Sequence, residues 1–242
     1  MRAAIMQPTY LPWLGYLDLI DQVDTFVFLD DVQFEKQSWQ QRNRIRTAAG
    51  LEWITVPALI KGRFGQEIRD VEMSGKDFVA KHTRKLTFAY GKAGFFGDYC
   101  EELSAILEEC AASGKLCDLC ITLVTWLCDK LGIDGRTVRS SRLDVSGKRS
   151  ERLVNILQKA GATRYLSPIG SKDYLLEDRQ IFSDHGISVE FQNYEHPVYQ
   201  QVYQPFVPHA STVDLLFNEG PCSLDILRSG RRPSLALEEA LA

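Results

Sequence analysis

No stretch of this chain reaches the roughly 18 consecutive apolar residues that a membrane-crossing helix needs. The imbalance of charge is small too: 28 Lys and Arg stand against 32 Asp and Glu, a formal net charge of −4, which argues against a general nucleic-acid binder held by a strong positive field. There are four histidines, at 82, 185, 196 and 209, and none pairs with another at i, i+4, so no metal site is expected. Of the six cysteines, five fall between residues 100 and 128. Cys117 and Cys120 have C-x-x-C spacing but lack a second Cys/His pair. They are expected as small apolar core residues in a reducing compartment, with zinc or a redox pair as the alternative. No charged-then-apolar leader, internal repeat or low-complexity block is visible, so a cytoplasmic location is expected. What is present is ordinary globular composition, 45% hydrophobic and 25% charged, at a length that suits one domain with additions.

The first fifty residues carry most of the information. Residues 3–6 are a short apolar run, expected as a buried strand. Pro8 and Pro12 end it in an extended loop, because proline fixes φ and donates no N–H. Gly15 lets a helix begin, expected over 16–23, with Leu14, Leu17, Ile20 and Val23 apolar. Residues 25–29 form a second apolar strand that runs straight into Asp30-Asp31. Side chains at the mouth of such a β-α-β unit face the crevice beyond the strand ends, where open α/β sheets bind ligands.

Residues 51–57 and 67–73 read as two strands, expected to pair as an edge hairpin. Apolar residues at helical spacing fill 76–131. The α/β alternation then resumes. A strand is expected at 137–139, then a helix in SGKRSERLVNILQKAG closed by Gly161, a strand at 164–166, a helix at 175–184 and a last strong strand in ISVEFQNY. Ser211 reads as the N-cap of a short helix that Gly220 closes. The expected fold class is α/β: an open, mostly parallel sheet with a nucleotidyltransferase-like (Rossmann-like) core over 1–75 and 132–225. A helical insertion at 76–131 and a surface tail at 226–242 complete it.

Several stretches carry candidate chemistry. QPTYLPWLGY resembles the strand–loop–helix start of adenylyl-transferring α/β enzymes such as pantothenate synthetases. Those carry His-x-Gly-His where this chain has Trp13, Gly15 and Tyr16, so the likeness supports the fold and argues against ATP adenylylation. A helix start still offers free N–H groups to an anion, although a packing loop would look the same. In DDVQFEKQSWQQRNR, Asp30 and Asp31 suit a base, an amine acceptor or a metal; Lys36, Arg42 and Arg44 suit phosphate; Gln33 and Asn43 suit amide or sugar groups. Ion pairing among these residues is the alternative. SGKRS at 146–150 lacks the full phosphate-loop pattern and reads better as a capped helix start, and Gly170-Ser171-Lys172 lies at another strand end. Farther on, His196 is a candidate general base for an attacking amine, Asp214 could orient a histidine, and Cys222 would need a lowered pKa to be a nucleophile.

In order, QPTYLPWLGYLDLI, FVFLDDVQFEKQSWQQRNRI, RYLSPIGSKDYL and YEHPVYQQVYQPFVPHASTVDLLFNEGP resemble the signature blocks of the WbqC-like family, from Ala3 to about Pro221. The resemblance implies a bacterial protein of surface-polysaccharide or natural-product biosynthesis. It implies a transferase that attaches an aminoacyl or small acyl group to an amine, including that of a nucleotide-linked amino sugar. Carried onto this chain, it implies Gln7, Asp30, Gln33, Lys36, Arg42, Asn43, Ser167, Lys172, His196, Tyr199 and Ser211 as site residues. Asp30 or His196 would take the proton of the amine. Lys36, Arg42 and Lys172 would hold the phosphates of the donor, which is an aminoacyl-adenylate, an aminoacyl-tRNA or a carrier arm. No cofactor, metal or membrane is called for, and a homodimer is left open. Two other readings stay open: a nucleotide or sugar-phosphate binder without chemistry, and an RNA-binding module using the basic residues near 42–46.

Overall fold

A computed structural model describes residues 1–237 and 239. Among them a six-stranded sheet runs in the order β5-β2-β1-β6-β7-β8. Its strands are β1 (Arg2–Met6), β2 (Thr25–Phe28), β5 (Arg136–Arg139), β6 (Arg164–Ser167), β7 (Ser188–Tyr194) and β8 (Arg231–Ala236). All neighbours are parallel except β7 and β8. The sheet is therefore mostly parallel, as the α/β alternation implies.

Period-two alternation divides the core. Ala4, Phe26 and Phe28 point to one face, and Ala3, Ile5 and Val27 to the other. The first face is covered by α1 (Leu14–Asp21), α2 (Asp77–Tyr90), α3 (Phe96–Ser113), α4 (Leu116–Leu131), α8 (Thr212–Glu219) and α9 (Ser223–Ser229). The second is covered by α5 (Arg149–Ala160), α6 (Lys172–Glu177) and α7 (Arg179–Asp184). Strands buried on both faces read as short continuous apolar runs, which is why β1 and β2 stand out in the sequence.

Three expectations differ from the structure. The hairpin is β3 (Arg42–Thr47) with β4 (Gly50–Thr55), and residues 68–70 form a 3-10 turn. Its first strand alternates buried Asn43 and Ile45 with half-exposed Arg42 and Arg44, so arginines that read as loop are one face of a strand. The helix expected at 175–184 is two helices meeting at Asp178, whose carboxylate accepts from Ser150 Oγ at 2.6 Å. The expected tail is α9 and β8 over its described part. Arg231 Nε donates to the fully buried Asp18 at 2.8 Å, and Arg228 pairs with Asp21 at 2.7 Å, which ties this segment to α1.

Candidate functional site

The crevice originates in the sheet. From β1 the chain crosses to β2 on one side, and β6 lies on the other, so the order reverses between β1 and β6. These two strands pair only at Arg2↔Arg164 and Ala3↔Tyr165, then part, although they run on to Met6 and Ser167. A cavity of about 290 Å³ opens between their carboxyl ends, lined by Met6, Gln7, Trp39, Tyr165, Ser171 and Tyr174 among others. A second, of about 310 Å³, adjoins it through Met6, Thr9 and Trp39 and reaches Trp13, Asn43, Arg44 and His209. A third, of about 420 Å³, adjoins it on the other side through Leu29, Leu153 and Tyr174. A larger hollow of about 710 Å³ lies at the opposite end of the sheet, where Arg164 and Glu190 already pair at 2.6 Å.

The 7–13 loop is the floor of this crevice and is pinned from both halves of the chain. Leu11 is fully buried at φ 42, a left-handed conformation rare for a bulky residue. Four hydrogen bonds hold it there. Tyr10 N donates to Trp39 O at 3.0 Å and Asn43 Nδ2 to Tyr10 O at 3.2 Å. Thr212 N and Oγ1 donate to Pro12 O at 2.8 and 2.9 Å. Strain of this kind persists where surrounding structure over-determines it. Gln7 Oε1 accepts from Gln40 Nε2 at 2.8 Å, which directs the amide of Gln7 so that its NH2 is left for a ligand.

Two imidazoles lie at the far wall. His196 Nδ1 donates to Pro197 O at 2.9 Å, so Nε2 carries the lone pair; it is buried and has no partner among the described residues. Rings of Trp13, Tyr199, Phe206 and His209 surround it. Desolvation pulls its pKa down to about 4, against the raising effect of the Pro197 hydrogen bond. His196 lines neither adjoining cavity, whereas exposed His209, 5.1 Å away between ring centroids, lines one of them. Desolvation and the nearby Arg44 cation lower the pKa of His209, so its imidazole is neutral near pH 7.

The other expected residues are placed as follows. Asp30 is fully buried, and its carboxylate accepts from Ser140 Oγ at 3.2 Å, Ser141 N at 3.0 Å and Ser141 Oγ at 2.8 Å. This geometry makes Asp30 a strap between the loops after β2 and β5, outside the cavity linings. Asp31 pairs with Arg152 at 2.5 Å. Ser211 caps α8, accepting from Val213 N, and Tyr199 donates to the buried Asp214 at 2.6 Å. Asp214 therefore holds a tyrosine and Gln201 Nε2, at 2.7 Å, rather than a histidine. Gln33 and Lys36 are exposed and Ser167 is fully buried; with Lys172 they lie outside the cavity linings, although the neighbour of Lys172, Ser171, belongs to one. Asn43 lines the His209 cavity, and Arg42 stands on the outer face of β3. Ser150 of the SGKRS turn is held by Asp178, so its hydroxyl is engaged. Burial raises Cys117 and Cys128 to about 12 and raises Cys120, as expected for core thiols, and no metal-holding cluster occurs among the described residues.

His209, Thr9 and Tyr174 also line the crevice and were not singled out by the sequence. The available signal for His209 was its place two residues before the cap Ser211, on the loop that delivers α8 to the 7–13 floor.

No helix among the described residues is long and apolar enough to cross a membrane. No solved structure matches this chain. A Mycobacterium tuberculosis (strain ATCC 25618 / H37Rv) protein named "Uncharacterized protein Rv1507c" is 39% identical over 233 residues, covering 96% of this chain and 99% of the relative. The WbqC-like protein family matches residues 7–226, the span that contains the crevice floor, the β3–β4 hairpin and the histidine wall. On that match and that relative, the chain belongs to the WbqC-like protein family.

Proposed function

We propose that the crevice transfers an aminoacyl or small acyl group from an activated donor to an amine. The observation that carries this reading is a neutral, accessible imidazole, His209, sharing one cavity with a cation, Arg44, and a fixed amide, Asn43. An amine nucleophile needs a base that is unprotonated at working pH, and an activated donor brings negative charge that a guanidinium can hold. In the step, the amine nitrogen attacks the acyl carbon and the C–N bond forms. The bond from that carbon to its leaving oxygen or sulfur breaks. The amine proton passes to His209 and on to the leaving group. His209 thus takes the role expected of His196, which stands behind it. Placing both substrates in one crevice removes much of the entropic barrier, an effect worth about 7–11 kcal/mol in well-oriented systems.

The test incubates the protein with aminoacyl-adenylate, aminoacyl-tRNA or acyl-carrier donors and amine acceptors that include nucleotide-linked amino sugars, with mass spectrometry of the amide product. On a productive pair, His209→Ala lowers kcat by about 10²–10⁴-fold, the usual range for a general base, with thermal stability kept. Full activity in His209→Ala refutes the assignment. A second reading, ligand binding without turnover, draws on Trp13 covering the start of α1, where an adenylyl transferase would place its histidine pair. Stabilisation by a nucleotide with no product from any pair would favour it.

A further inference from the structure

The outer face of the β3–β4 hairpin, beside the crevice, holds an arrangement that folding does not account for. Trp39 and Trp53 remain 48% and 43% exposed, with ring centroids 5.3 Å apart. The guanidinium of Arg42 lies 4.1 Å from the centroid of Trp53, and that of Arg44 lies 5.6 and 5.7 Å from Trp39 and Trp53. Neither arginine has a carboxylate partner among the described residues, and Nε of each is buried without a hydrogen-bond partner. The acid of the facing strand, Glu52, is taken by Lys85 and Thr47, at 2.8 Å each. Two like charges are thus held together beside two solvent-facing indoles. Both features are satisfied at once by a ligand that carries a flat π system and an anion a few ångströms apart. Indoles stack on any nucleobase, and guanidinium donors match phosphate oxygens. Trp39 and Arg44 also line the cavity of His209, so the outer face and the crevice share residues.

We propose that Trp39, Trp53, Arg42 and Arg44 form a handle for a nucleoside phosphate. The base stacks on the indoles, the phosphate lies against the guanidiniums, and the group attached to that phosphate or ribose enters the cavity. The handle goes beyond the transfer reading, and only what it delivers to His209 rests on that reading. The same chemistry could come from a free nucleotide or from the unpaired end of an RNA.

Calorimetric titration of the full chain with AMP, UMP, adenosine, ribose 5-phosphate and an RNA hairpin ending in unpaired CCA tests it. AMP is expected to bind at least about tenfold more tightly than adenosine or ribose 5-phosphate, since each lacks one half of the recognition. Trp39→Ala weakens AMP about 5- to 150-fold, the range for loss of one stacked base. Trp39→Phe restores most of the affinity and controls for folding. Arg44→Ala weakens binding and flattens its salt dependence. Tighter binding of the RNA end than of AMP assigns an RNA source and the reverse a free nucleotide, and each upholds the handle. The handle is refuted if AMP binds no better than adenosine, or if Trp39→Ala with Arg42→Ala leaves its Kd unchanged. AMP binding with no turnover of any pair would sink the transfer reading alone. Turnover of a productive pair, with AMP bound no better than adenosine, would sink the handle alone.

Discussion

Replacing Gly15 by alanine should destabilise this protein, against the normal sign for a helix. In a helix interior, Gly→Ala usually stabilises by about 0.5–1 kcal/mol, because alanine has less backbone freedom to lose. Here an added Cβ would lie 2.8 Å from Cζ3 of Trp13 and overlap Cη2 and Cζ2. The indole would have to retreat by about 1.3–1.8 Å to reach ordinary contact distance. Its retreat is restricted by three rings and open only toward the cavity it lines: Tyr194 and His209 meet it at 5.8 Å between centroids, and His196 stacks at 6.4 Å. Overpacking of this kind costs about 1–3 kcal/mol. The net loss is about 1–2 kcal/mol, or a fall in Tm of about 2–8 °C for a chain of this size. Thermal unfolding followed by circular dichroism reads it directly. In a Trp13→Ala background the obstacle is gone, and Gly15→Ala should raise stability by about 0.5–1 kcal/mol. The double-mutant cycle therefore shows a coupling of about 1.5–3 kcal/mol. A higher Tm for Gly15→Ala alone, or the same loss in both backgrounds, refutes the reasoning.

Two further outcomes follow from buried polar groups. His82 accepts from Tyr10 Oη at 2.8 Å and donates to Thr55 O at 3.0 Å, and desolvation holds its pKa down to about 4. A folded pKa below the unfolded value means the unfolded chain binds the extra proton. The contribution is whole above about pH 6.5, is lost as pH falls toward about 4, and amounts to up to about 3 kcal/mol. Urea midpoints at pH 7 and pH 4.5 should differ less in His82→Gln than in the parent, and equal differences would count against it. Asp214 is fully buried and receives Tyr199 and Gln201, and burial raises its pKa. Asp214→Ala leaves both donors unpaired and should cost about 2–4 kcal/mol, while Asp214→Asn keeps an acceptor and costs about 1 kcal/mol or less. Equal losses in urea unfolding would show that packing, not hydrogen bonding, sets the effect.

Strand positions were legible where burial on two faces wrote an apolar run, as at Ile5 and Val27. Caps were legible where one side chain or one φ decides the matter, as at Ser211 and Gly161. β3 was not, because Arg42 and Arg44 stand on its half-exposed face beside two indoles, and a strand face of that kind looks like a loop. β8 was not, because an antiparallel edge strand tolerates Pro233 and arginines that a central strand would exclude. Gln7 lines the crevice because it directly follows β1. Asp30 follows β2 in the same way, yet Ser140 and Ser141 of a distant loop claim its carboxylate. Local sequence tells which residue leaves a strand, not which partner across the fold reaches it first. Which of His196 and His209 faces a cavity has the same character: it depends on which ring the Trp13 cluster encloses.

The place of β1 in the middle of the sheet has a consequence for biosynthesis. β1, α1 and β2 precede their partners in the chain, and one edge of β1 finds its neighbour only when Arg164 and Tyr165 have emerged. Asp18 meets its counter-charge later still, with Arg231. Throughout that interval the nascent chain carries an open strand edge and an unmatched acid, the two features that invite mispairing between polysomal neighbours. The early segments therefore wait for later ones to close the sheet around them.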